Sequence, residues 1–293
     1  MKFFTFSLLF LPLFILTSLT AQSPINGFMQ KKGNGSVVLS YNAESYDEVF
    51  LVPKRILGVP IFNEIKIKSA SLYATYGLND KLNLILNVPY IQSQGAASEQ
   101  VLQNLNYKNT QRGFQDASVY LKYRPLTTQM ADRGIFDLIG AIGIKTPIGN
   151  YTVDEGLQNI VAIGNRATSL NALAIGVYKD RSGFFASGQL GYSLRNKKVP
   201  NAFISELKLG LIKNKFYVDA FIANQTSLSG TDILAEGFEG FFPSTRVNYT
   251  RVGFNVFVPI FSHFGLCGGS STYIDGRNLG KSTSFYGAVS YSF

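Results

Sequence analysis

The 293 residues are 46% hydrophobic and 14% aromatic but only 15% charged, against the ~25% charged of ordinary soluble domains. No stretch beyond the N-terminus offers 18 consecutive apolar residues, which excludes later helical membrane spans and places the apolar excess in strands. The net charge of +9 comes from scattered Lys and Arg with no run longer than two, which argues against nucleic acid and for anionic lipid head groups as the counterpart.

The chain opens on Lys2, an apolar stretch from Phe3 to Leu16 broken by Thr5, Ser7 and Pro12, and a small-residue exit over Thr17 to Ala21. This is the order of a secretory signal peptide, residues 1–21, cut before Gln22, although Leu19 stands where a small residue is preferred. An uncleaved membrane helix is the alternative, but the core of about 14 residues falls short of the roughly 20 a span needs. Residues 22–34, with Pro24, Gly27, Lys31, Lys32 and Gly33, are too few for a globular plug domain. They read either as a disordered leader or as a small segment folded into a lumen.

Residues 35–293 read as a transmembrane antiparallel β-barrel of about twelve strands, each near ten residues with period-two alternation. Less regular strands are expected near 35–45 and 65–78. Leu82, Leu84, Leu86, Val88 and Tyr90 then alternate with Asn83, Ile85 and Asn87. Ala117, Val119, Leu121 and Tyr123 alternate with Asp116, Ser118, Tyr120, Lys122 and Arg124. After candidates near 135–146, 166–179 and 183–195, Phe203, Ser205, Leu207, Leu209 and Leu211 alternate with Ile204, Glu206, Lys208 and Gly210. Phe216, Val218, Ala220 and Ile222 follow, and then Val252, Phe254, Val256 and Val258. A further strand lies near 264–274. The last has Phe285, Val289, Tyr291 and Phe293 on one face and Ser284, Ser290 and Ser292 on the other.

Connections alternate in length. Short turns fall at Asn79–Asp80, 180–182, 213–215 and 259–263, and a mid-length one covers Pro125 to Gly134. Long loops cover 46–64, 93–113, 147–165 and 227–246, with shorter ones at 196–201 and 275–281. A periplasmic N-terminus puts every short turn and the C-terminus in the periplasm and the long loops outside. Without tryptophan, the interfacial girdle falls to Tyr41, Tyr76, Tyr90, Tyr123, Tyr178, Tyr192 and Tyr291.

No catalytic constellation is visible, so neither an enzyme nor a cofactor is expected. The only histidine, His263, falls in a turn, and one His with Cys267 cannot build a metal site. Cys267 reads as a small hydrophobe. The inward faces carry Asp116, Lys122, Asp137, Lys145, Arg195, Glu206, Lys208, Asp219 and Arg251. Enclosed charges either cross-link a barrel wall or line a water path. With Tyr120, Tyr217 and Phe221 they are the candidate lumen-lining set, and Lys122, Lys145, Lys208 and Arg251 lead it. Twelve strands lie between the filled eight-stranded barrel and the open sixteen-stranded pore, hence a narrow channel.

Gly113-Phe114-Gln115-Asp116 running into Val119 to Arg124, followed by Gly143-Ile144-Lys145-Thr146-Pro147-Ile148-Gly149, resembles the outer-membrane transporter family associated with the meta-pathway of phenol degradation. Gln115 stands where that family has a second Gly. The resemblance implies a barrel passing small, often aromatic or hydrophobic, compounds across the outer membrane. The Ala-Gln junction and the Tyr- and Phe-rich composition are similar to secreted proteins of the Bacteroidetes. The terminal Phe293 resembles the signal read by the barrel-insertion machinery. Outer-membrane lipid, lipopolysaccharide and a small solute complete the expected partners of a monomer. The alternative is a non-transporting barrel that acts through its loops as anchor, adhesin or assembly partner.

Overall fold

Every second residue of a strand faces the same way, and burial follows that rule along the chain. In the last strand Phe285, Val289 and Tyr291 are exposed while Ser284, Ala288, Ser290 and Ser292 are enclosed. The computed structural model describes residues 25–130, 134–153 and 156–293, so the expected signal peptide lies outside the described residues.

Twelve antiparallel strands close on themselves. They are β1 (Gly35–Tyr46), β2 (Ile65–Asn79), β3 (Leu82–Gly95), β4 (Asp116–Met130), β5 (Gly134–Pro147) and β6 (Ser169–Asp180). The others are β7 (Phe184–Arg195), β8 (Ala202–Lys213), β9 (Phe216–Ser227), β10 (Asn248–Pro259), β11 (Phe264–Arg277) and β12 (Thr283–Ser292). A piece at Thr110–Phe114 continues the pairing of β4 with β3, with Gln115 at the break. Each strand pairs with its sequence neighbours, and β1 meets β12 with Ser36 opposite Ser292, so no edge is left.

The outer wall explains why the chain needs a membrane. Leu39, Ile142, Leu190 and Phe285 are 62%, 61%, 68% and 65% exposed. In water such a belt would drive aggregation; against hydrocarbon it is the ordinary outer face of a barrel. No described helix is long and apolar enough to cross a bilayer. At the short-turn end, Tyr76, Phe293, Tyr291 and Phe264 form a chain of ring contacts. Tyr90 with Phe114 and Tyr192 with Phe203 do so nearer the long loops.

One expected connection is corrected. Pro125 to Met130 is strand rather than loop: β4 runs on to Met130, with Leu126 opposite Leu138 and Met130 opposite Gly134, the first residue of β5. A register shift between Tyr123 and Leu126 leaves Arg124 and Pro125 out of the ladder with β5. A proline cannot donate to a ladder, but a bulge asks no donor of it.

The long-loop end is capped. Strands Glu48–Phe50, Ile56–Leu57 and Leu279–Gly280 form a small sheet. Val59, Phe62, Ile65 and Val161 pack with Leu102 and Tyr107 into an apolar cluster. Inside the bore lies a second apolar layer, to which β1 gives Val38, β2 Tyr73, β3 Ile85, β4 Tyr120, β5 Ile139 and β6 Ile175 and Val177.

Candidate functional site

The strand pleat turns all the expected lining residues inward, and pairing register decides which of them meet. At the long-loop end Ser118 lies opposite Lys145, which brings the Lys145 ammonium to 3.6 Å from Asp116. Tyr151 donates to the same carboxylate at 2.5 Å and accepts from the Arg166 amide. Burial and the Asp116 carboxylate push the Tyr151 phenol up, so it remains a donor.

Halfway along the bore, Glu206 and Lys208, two apart on β8, approach at 3.6 Å. Asp219 lies opposite Asn255 and accepts from its amide at 2.8 Å and from Tyr217 at 2.5 Å. Tyr286 donates to Asn255. Phe221 is opposite Lys208, and the Arg251 guanidinium sits 5.4 Å from the Tyr273 ring centre. Nearer the short turns, Asp137 holds Lys179 at 3.2 Å and Arg124 at 3.6 Å. Arg195 reaches Gln225 at 2.9 Å. His263 lies in its turn with Nδ1 2.8 Å from the Ser292 carbonyl. Among the lining residues, much of the charge is therefore spent on wall contacts.

Lys122 is the exception in what it holds. Its ammonium donates to the carbonyls of Asn26 and Phe28 at 3.0 and 2.5 Å, which belong to the segment before β1. Residues 25–30 of that segment run inside the barrel, and 31–34 lead out past the Asp80 turn to β1. Ile25 is fully enclosed and packs in the inner apolar layer with Met29. Gln30 exchanges two hydrogen bonds with the Asn83 amide of β3. The Phe28 ring meets Phe185 of β7 at 5.3 Å and Tyr217 of β9 at 6.0 Å, with the Lys179 ammonium over its face. On a twelve-strand circle β3 and β9 are diametrically opposite, so the contacts of residues 28–30 reach both sides of the bore. Glycine is required where the segment leaves it: a Cβ on Gly77 would lie 2.0 Å from the Lys31 carbonyl oxygen.

Above the crossing segment the bore is hollow. A cavity of about 550 Å³ is bounded by Tyr120, Asn171, Gln189, Arg195, Glu206 and Tyr249. A second, of about 280 Å³, is bounded by Tyr73, Asn87, Arg251 and Tyr286. Both touch Gln115, Asp116, Tyr120 and Lys145, which stand between them. Glu206 borders the larger cavity, but its Oε2 is sealed from it and has no hydrogen-bond partner among the described residues.

No family model matches this sequence, and no curated protein matches it. Among solved structures, the COG4313 outer membrane channel from Pseudomonas putida F1 is similar over 90% of this chain and 97% of that one, with a TM-score of 0.68 and 13% identity. The likeness is one of fold. The translocator domain of autotransporter NalP from Neisseria meningitidis scores 0.45 at 10% identity over 90% of each chain. The P. putida toluene transporter TodX scores 0.40 at 7% over 90% of each. The chain is thus a twelve-stranded barrel of the outer-membrane type.

Sequence reasoning missed the partners of the crossing segment. Asn83 is visible in the alternation of β3, but Phe28 and Phe185 carry no sign that they meet. The loop latch was equally hidden. Asp232 accepts from Arg277 Nε and Nη2 at 2.7 and 2.6 Å and from Asn278 at 2.8 Å, which ties loop 227–246 to the 275–281 connection. The Arg277 guanidinium holds the Asp232 carboxyl below its ordinary value, which is about 3.9. A depressed carboxyl contributes stability above that value and loses it as pH falls through the folded one. Hydrogen exchange in 227–246, corrected for intrinsic rate, should be flat from about pH 7 to 5 and accelerate below about pH 4. Acceleration already complete at pH 5 would assign the latch to other contacts.

Proposed function

We propose that this barrel sits in the outer membrane with its long loops outside and passes small amphipathic molecules, aromatic or hydrophobic in part, by passive diffusion. One observation carries the reading: a hollow bore with aromatic and polar walls stands above a segment held by side-chain contacts rather than by strand pairing. Tyr120 and Tyr286 stand beside the cavities, and Asn171, Gln189 and Tyr249 offer polar partners to a hydroxyl or amine of the solute. Lys145, Lys208 and Arg251 line the path. Kinship with the transporters of phenol degradation rests on the two Gly- and Lys-containing motifs around Asp116 and Lys145. No nucleotide is available in that membrane to drive transport, so movement follows the gradient. The monomer is the transporting unit.

A barrel that serves instead as anchor or assembly partner is favoured by the same crossing segment, if it never leaves. Current through single refolded molecules in a planar bilayer separates the two. The expected result is intermittent conductance, interrupted by millimolar aromatic amine more often than by a sugar of equal mass. Silence at every voltage would overturn the transport reading.

A further inference from the structure

Outward positions of β2 run Tyr76, Ala74, Leu72 and Ala70, then change at once to Lys68 and Lys66, both exposed. Register extends this change across three adjacent strands. Lys68 lies opposite Gln92 of β3, and Gln92 opposite Arg112 of the piece before β4. Lys66 lies opposite Gln94, and Gln94 opposite Thr110. At about 4.8 Å between strands, Lys68 and Arg112 flank the Gln92 amide with backbones about 10 Å apart. On the β1 side their neighbours are Ala43 and Ser45, which leave the row uncovered. Just below it is the aromatic edge of the belt, where the Tyr90 and Phe114 rings meet at 5.4 Å.

The height of this row decides its partner class. A Lys or Arg on the lipid face costs about 2–4 kcal/mol at the bilayer centre but about 0–1 near the interface, so the cations lie at head-group level. Lys66 pairs with Glu64 at 3.1 Å yet keeps 60% of its side chain exposed. Lys68 and Arg112 make no ion pair among the described residues. A guanidinium fork and an ammonium match phosphate oxygens, while the amides of Gln92 and Gln94 and the hydroxyls of Ser45 and Thr110 match sugar hydroxyls.

We propose that Lys66, Lys68 and Arg112, with Gln92 and Gln94 between them, bind the phosphorylated sugar head group of lipopolysaccharide in the leaflet at the long-loop end. The site uses the orientation given above but not the transport reading. In detergent it can be tested without either.

The experiment is native mass spectrometry of the refolded full chain with three probes: diphosphorylated lipid A, lipid A stripped of both phosphates, and inorganic phosphate. The expected result is retention of diphosphorylated lipid A alone. Lys68→Gln combined with Arg112→Gln should weaken it by about tenfold or more, the loss of two charge-assisted contacts. Lys197→Gln with Lys198→Gln, in the turn after β7, should leave it unchanged. Heat-modifiable gel mobility reports folding of each variant, and the probe comparison on the unaltered chain stands if a variant fails to fold. Equal retention of the dephosphorylated lipid, equal retention by the Lys68/Arg112 variant, or an equal response to free phosphate would each overturn the assignment.

Discussion

Deleting residues 25–34 is expected to convert intermittent current into a steady conductance several times larger than that of the intact chain. The segment lies in the bore with contacts to β3 on one side and β9 on the other. Its docking rests on the enclosed side chains of Ile25 and Phe28 and on the hydrogen bonds to Lys122 and Asn83. In Lys122→Met the carbonyls of Asn26 and Phe28 would be enclosed without a donor, at about 1–3 kcal/mol each. Part of that is offset, because docking no longer strips water from an ammonium. A net loss of about 1.4 kcal/mol shifts the open fraction roughly tenfold, so Lys122→Met should lie between the intact and deleted chains in single-channel recordings. Conductance unchanged by the deletion would place the constriction elsewhere, in the loop cap around Phe62 and Val161.

The barrel was legible because two solvents act on it. A strand with lipid on one side and a lumen on the other must alternate, and β3, β8, β9 and β12 do so residue by residue. Turn lengths then supplied the even strand count. Pro125 misled because the rule that proline ends strands has an exception at bulges, which depends on a partner strand the sequence does not display. The lining charges were legible as inward residues but not as pairs. Asp116 meets Lys145 only because Ser118 and Lys145 are opposed, and register is a property of two strands. The inner apolar layer was a harder case. Ile139, Ile175 and Val177 face a lumen where polar residues are the norm, and they do so because Ile25 and Met29 pack against them. A run apolar on both faces, such as Leu138 to Ile144, is the trace it leaves. The crossing segment has no period, so composition alone could not choose between a leader and a plug.

Removing Phe293 should reduce the yield of heat-modifiable, folded barrel by about tenfold or more, whereas Phe293→Tyr should leave it near that of the intact chain. The last residue is part of the seam. Its N–H donates to the Gly35 carbonyl at 3.0 Å, and its own carbonyl accepts from the Gly35 amide at 2.9 Å. These two bonds are the final rung between β12 and β1, where the barrel closes. The ring stacks with Tyr76 at 6.5 Å and Tyr291 at 6.2 Å, bridging both sides of that seam at the short-turn interface. It lies close over Gly35, where a Cβ would come within 2.6 Å of it. Two net backbone bonds at about 1 kcal/mol each, with aromatic contacts of about 0.5–1.5 kcal/mol each, amount to a few kcal/mol, enough to unbalance closure. A loss seen only in cells, and not in detergent refolding, would be the mark of recognition by the insertion machinery. Loss in both settings would assign Phe293 to the seam, and normal yield in both would exclude either role.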